Sequence, residues 1–177
     1  MANAKGSEER CIFSCLVQNN PGVLAQVSGL FAGRGYNIDS LTVGETENPQ
    51  FSRMTIASHG DEQVLDQIRK QLEKLVPAVK VVDLTGVERV ERELALVKIA
   101  ATPAERGAIM QLAEIFRARV VDVGEKELLL ELSGRTRKVE AFIDLIRPYG
   151  IRELARTGVI AMARGATMTG ARRAAEE

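Results

Sequence analysis

Two stretches of this chain run through the same succession of patterns, and that recurrence narrows the folds open to it. In the first, CIFSCLVQ (11–18) is apolar enough to be a strand covered on both faces. NNPG follows, with Asn20 suited to a helix N-cap and Pro21 to the first helical position. Val23, Leu24, Val27, Leu30 and Phe31 then form one helical stripe, which Gly33 and Gly35 end. YNIDSLTVGET (36–46) and FSRMTIASHG (51–60) read as a hairpin turning at ENPQ. Asp61 caps a second helix with Val64, Leu65, Ile68, Leu72 and Leu75 on one face, Pro77 closes it, and residues 79–84 make a further strand.

The second stretch repeats the order. LALVKIAA (94–101) is a strand, and residues 102–119 are a helix with Thr102 as cap, Pro103 at the first position and Ile109, Leu112, Ala113 and Phe116 as stripe. VVDVG and KELLLEL pair as a hairpin around Gly124. Residues 135–149 carry Val139, Phe142, Ile143 and Ile146 at helical spacing, and GVIAMA (158–163) supplies the last strand. The first three elements of the two stretches are offset by about 83 residues. A β-α-β-β-α-β order met twice predicts an α+β protein of two ferredoxin-like domains, at 10–84 and 94–164. A polar linker at 85–93 joins them, with an N-terminal extension at 1–9 and a mobile tail at 165–177.

Composition excludes several functions. The formal net charge is +0, only 4% of residues are aromatic and Trp is absent, so neither a nucleic acid nor an anionic membrane surface is an expected partner. No apolar run approaches the roughly 20 residues that span a bilayer. MANAKGSEER has no apolar core of a signal peptide, so a soluble cytoplasmic protein is expected. Cys11 and Cys15 share one strand face, but no further Cys accompanies them. They read as buried thiols in a reducing compartment rather than metal ligands. His59, the only histidine, ends an alternating strand and has no nucleophile or acid at a recognisable spacing, so a surface or edge position is expected. No catalytic residue and no metal site are expected. Gly29, Gly33 and Gly35 lie within and at the end of a helix, whereas a dinucleotide fingerprint lies at a helix start.

NNPGVL does lie between a strand and a helix start. Free amides there, with the positive end of the helix dipole, suit a carboxylate. Gly22 keeps the approach clear, Asn19 offers a carbonyl to an ammonium group and an amide to a carboxylate, and Val23 and Leu24 can wall a small aliphatic slot. A well-capped turn that binds nothing is the alternative.

NNPGVLAQVSGLF, RGYNIDSLTV and FSRMTIASHGDEQVLDQIRKQLEKL, in this order, closely resemble the regulatory (small) subunit of acetohydroxyacid synthase, also called acetolactate synthase. The first domain looks like that family's amino-acid-binding ACT domain. ERVERELALVKI, EIFRARVVDV and KVEAFIDLIRPYGIRELARTGVIAMARG resemble its C-terminal domain, so the likeness covers about residues 10–165. The resemblance implies a non-catalytic subunit that activates a thiamine-diphosphate-dependent catalytic (large) subunit and confers feedback inhibition by valine or another branched-chain amino acid. Thiamine diphosphate, magnesium and FAD are expected in the catalytic partner only. It also implies a homodimer through ACT domains, with Asn19, Gly22, Val23 and Leu24 of one chain and Asn37 and Ile38 of its partner around the effector. The competing readings are a stand-alone amino-acid-sensing module acting on another enzyme or on transcription, and an enzyme in its own right. The absence of a helix-turn-helix segment or basic patch counts against the transcriptional version, and the absence of a nucleophile–base constellation counts against an enzyme.

Overall fold

The computed structural model describes residues 9–165. The expected N-terminal extension and tail lie, apart from Glu9 and Gly165, outside the described residues. The chain divides into two compact units, one holding residues up to Val90 together with those from Ala161, the other holding Glu91–Ile160.

The first unit runs β1 (Glu9–Gln18), α1 (Val23–Arg34), β2 (Ser40–Glu45), β3 (Phe51–Gly60), α2 (Glu62–Glu73) and β4 (Ala78–Asp83). Its antiparallel sheet has the order β2-β3-β1-β4. Alternation along β1 places Cys11, Phe13, Cys15 and Val17 against Val23, Val27 and Phe31 of α1 and Ile68 and Leu72 of α2. Ile12, Ser14 and Leu16, on the opposite face, are equally buried, so β1 is covered on both sides as its composition predicts. Asp61 caps α2 as expected, its Oδ1 accepting from the Val64 N–H at 2.8 Å.

The second unit's sheet has the order β6-β7-β5-β8, formed by β5 (Arg89–Ala100), β6 (Arg119–Val123), β7 (Glu127–Gly134) and β8 (Ile151–Arg156). Helices α3 (Arg106–Phe116) and α4 (Thr136–Ile146) cover one face with Ile109, Ala113, Val139, Phe142, Ile143 and Ile146. β9 (Ile160–Ala163) also pairs with β5. Counted in their own strands, both sheets follow the order 2-3-1-4. The repeat extends to a register shift between strands 1 and 4, at Leu16/Val17 in one sheet and at Lys98/Ile99 in the other. Two ferredoxin-like β-α-β-β-α-β folds are therefore present. No helix among the described residues is long and apolar enough to cross a membrane.

Four local expectations are corrected. The stretch 85–93 is not all linker, because β5 begins at Arg89. Its charged residues obscured an alternation that places Glu93 inside, where it pairs with Arg156. The fourth strand of the second sheet is Ile151–Arg156 rather than 158–163. IRELAR is a polar edge strand, held by backbone pairing and by ion pairs such as Lys98–Glu153 at 3.2 Å, and so carries no apolar pattern. α3 starts at Arg106, after a turn in which the Thr102 N–H and O–H both donate to Glu105, holding that carboxyl below its usual range. The cap of α1 is Gly22, not Asn20, as detailed below.

The two thiols are free and buried. Burial pushes Cys11 up to about 11 and Cys15 up to about 12, from 9.0, although Cys11 still donates to the Ser58 carbonyl at 3.3 Å. Both stay neutral in the fold while the unfolded chain ionises above pH 9.0, so the unfolded state holds fewer protons there. Stability is therefore complete below that pH and falls as pH rises toward the folded values, by at most about 1.4 kcal/mol per pH unit per thiol. Denaturant melts at about pH 8 and about pH 10.5 should show this loss, and a Cys11→Ala/Cys15→Ala variant should show a flatter profile. An identical slope in that variant would contradict the assignment.

Candidate functional site

β1 ends at Gln18, and residues 19–22 carry the chain to α1. Two backbone bonds pin this loop: Gln18 N–H to the Pro77 carbonyl at 2.9 Å, and Asn19 N–H to the Gln50 carbonyl at 2.8 Å. The Asn19 side chain fastens it further. Its Nδ2 donates to Glu45 Oε1 at 3.1 Å and to the Pro49 carbonyl at 3.0 Å, and its Oδ1 accepts from Ser52 Oγ at 3.0 Å. Both amide hydrogens are thus committed, and one lone pair on Oδ1 remains. Asn19 is an anchor that retains an acceptor; its amide is not offered to a carboxylate as the sequence reading had it.

Gly22 is the residue at the helix start, with φ 85 and ψ −8, a left-handed conformation that an L side chain rarely adopts. A Cβ placed there meets nothing within 4 Å, so backbone conformation and not crowding calls for glycine. Asn20 donates to Gln18 Oε1 at 3.2 Å and no side chain caps α1. No acid lies in the first turn. The Val23 N–H reaches only the Asn20 carbonyl, at 3.4 Å, while the Gln26 N–H donates to its regular helical partner, the Gly22 carbonyl, at 3.0 Å. The positive end of α1 therefore opens on an exposed glycine with no side-chain partner. Val23 is 4% exposed and belongs to the core, so only its backbone faces the loop. Leu24, 47% exposed, remains as an apolar wall.

Asn37 and Ile38 lie in the connection between α1 and β2, not in a strand as read from the sequence. Gly35 ends α1 in the left-handed region, as its place in the sequence predicts. Beyond it Ser58 Oγ donates to the Asn37 carbonyl at 2.6 Å, the Asp39 N–H donates to the Ala57 carbonyl at 2.9 Å, and Asn37 Nδ2 donates to Asp39 Oδ1 at 3.2 Å. His59 Nδ1 contacts Asp39 Oδ2. His59 is exposed, as expected, but it has the acidic partner that linear spacing concealed. The strand register was the available signal, since Ser40 pairs with Ala57 and so brings Asp39 to the end of β3.

Asn37–Ile38 precede β2, whereas Asn19 is bonded to Glu45 at its far end. The strand spans Ser40–Glu45, so at about 3.4 Å per residue the two groups stand roughly 17 Å apart along it. One chain does not bring them together. β2 is, however, an edge strand of its sheet. Antiparallel pairing of two edges of this kind sets the start of one strand beside the end of the other. A separate open groove of about 690 Å³, lined by Gln26, Gly29, Leu30, Gly33, Arg34, Gln71 and Leu75, contains none of these six residues.

Residues 13–80 match the model of the AHAS small subunit-like ACT domain, and residues 92–165 match that of the small subunit of acetolactate synthase. The chain is 55% identical over 150 residues to the "Probable acetolactate synthase small subunit" of Archaeoglobus fulgidus, covering 85% of this chain and 94% of that protein. It is 45% identical over 155 residues to the acetolactate synthase small subunit of Bacillus subtilis, covering 87% and 90% respectively. The crystal structure of the acetolactate synthase small subunit from Thermotoga maritima superposes with a TM-score of 0.81 at 44% identity, over 90% of this chain and 99% of that one. A doubled ferredoxin-like frame, with this likeness over nearly all of the described residues, places the chain in the acetolactate synthase small-subunit family.

Proposed function

We propose that this chain is the non-catalytic, regulatory subunit of an acetohydroxyacid synthase. It binds the catalytic subunit, raises its activity, and makes it sensitive to feedback inhibition by valine or another branched-chain amino acid. Thiamine diphosphate, magnesium and FAD reside in the catalytic partner. The observation that carries the effector-binding reading is the separation of the site's two halves along the edge strand β2. Two chains joined through their ACT domains complete the site twice. The α1 amides at Gly22 and Val23 take the carboxylate, Asn19 Oδ1 and the partner's Asn37 take the ammonium, and Leu24 and the partner's Ile38 flank the aliphatic side chain.

Calorimetric titration with L-valine, L-leucine and L-isoleucine, alongside sedimentation, tests this reading. A dimer that binds at least one of them supports it, and a monomer silent to all three contradicts it. Asn19→Ala removes both the loop anchor and an ammonium acceptor. Its affinity for the effector should fall by about 1–3 kcal/mol, the loss of a hydrogen bond to a charged group. Unchanged affinity would remove Asn19 from the site.

A further inference from the structure

The connection bearing Asn37 is fixed from behind by side chains that have no assigned role. Ser58 Oγ fastens the Asn37 carbonyl at 2.6 Å. Asp39 uses both carboxylate oxygens: Oδ1 accepts from Asn37 Nδ2 at 3.2 Å, and Oδ2 is held by His59 Nδ1. A carboxylate of this kind only accepts, which fixes the orientation of both its partners. The His59 Nδ1 facing it carries the proton. The Asn37 amide must turn its NH2 toward Asp39, and its carbonyl oxygen therefore points the other way. Among the described residues that Oδ1 accepts no hydrogen bond, and Asn37 is exposed.

An asparagine without such a lock has two amide orientations of nearly equal energy. One presents an acceptor to a cation and the other presents N–H groups that repel it. We propose that Asp39 and His59 are positioning residues, which hold Asn37 with its carbonyl oxygen turned toward the ammonium group of an α-amino-acid effector. The proposal rests on the reading that Asn37 closes the effector site from the partner chain. It adds the means by which the partner's Asn37 is held as an acceptor for the ammonium, alongside Asn19 Oδ1. His59 acts through Asp39, and Asp39 acts through Asn37.

The test is calorimetric titration of L-valine into the full chain and into Asn37→Ala, Asp39→Ala, His59→Ala, His59→Gln and the Asn37→Ala/Asp39→Ala pair. Asp39→Ala should weaken binding about tenfold, the size of one ordinary hydrogen bond. His59→Ala should weaken it about threefold, and His59→Gln, which keeps an N–H donor toward Asp39, should recover most of that loss. Because Asp39 acts only through Asn37, the double variant should bind as Asn37→Ala alone does. If Asn37→Ala binds valine normally, the placement of Asn37 in the site fails. If Asn37→Ala weakens binding while Asp39→Ala does not, the positioning role fails and the site survives. A double variant clearly weaker than Asn37→Ala would also overturn the proposal, since Asp39 would then act by another route. Should Asp39→Ala not fold, the His59→Ala and His59→Gln comparison, made on an exposed side chain, decides: equal losses in both contradict the lock.

Discussion

Gly22→Asp is expected to abolish feedback inhibition while leaving activation of the catalytic subunit intact. The residue sits at φ 85, and Asp is among the few non-glycine residues that tolerate this region. An added Cβ meets no atom within 4 Å, and the new carboxylate lies beside helix amides that have no side-chain cap. The strain and the new cap roughly offset, so the change in folding stability should stay within about 1 kcal/mol. Binding is affected far more. The new negative charge occupies the position proposed for the effector's carboxylate, and two like charges about 4 Å apart near a protein surface repel by roughly 4 kcal/mol. The concentration of valine giving half-inhibition should rise by about 100-fold or more, with activation near that of the unaltered chain. Normal valine inhibition of this variant would disprove the docking of the carboxylate on α1.

The second large effect concerns the other unit. Glu93 carries a side chain only 3% exposed, with Arg156 Nε against its Oε1 at 2.5 Å and Glu140 near the same guanidinium at 4.0 Å. The hydrogen bond to Glu93 holds the Arg156 guanidinium above its ordinary range. This pair fastens β8, a polar edge strand, to β5 at the Ala95–Arg156 register position. Arg156→Ala would leave a buried carboxylate without its partner, at a cost of about 3 kcal/mol. Hydrogen exchange at the β5 and β8 amides should speed up accordingly, whereas exchange in β1–β4 should not. Pairing Arg156→Met with Glu93→Leu should recover most of the loss, since removing both charges removes the desolvation penalty. Slow exchange in Arg156→Ala would mean that Glu93 is solvated and the pair contributes little.

What the sequence revealed and concealed follows from where each signal arises. The doubled strand and helix order was legible because apolar periodicity records burial directly, as at Val139, Phe142, Ile143 and Ile146. β8 was concealed because an edge strand stabilised by backbone pairing and charge partners has no apolar stripe to display. The helix start was misjudged by two residues: NNPG holds several competent caps, and the choice of Gly22 depends on a left-handed backbone that composition does not encode. Within the candidate site, the loop Asn19–Leu24 was found from its place between a strand and a helix. The burial of Val23 and the commitment of the Asn19 amide were not, because both depend on partners such as Phe31 and Glu45 that only packing brings near. The Asp39–His59 pair stands 20 residues apart in sequence and becomes adjacent through the β2–β3 register.

The central claim is regulation of a catalytic partner, and reconstitution tests it most directly. The purified chain is mixed with its acetohydroxyacid synthase catalytic subunit, and acetolactate formation is followed with and without L-valine, L-leucine and L-isoleucine. The chain should raise the rate, and at least one of the three amino acids should then suppress the activity. A rate that is unchanged by the chain and unaffected by all three would contradict the account.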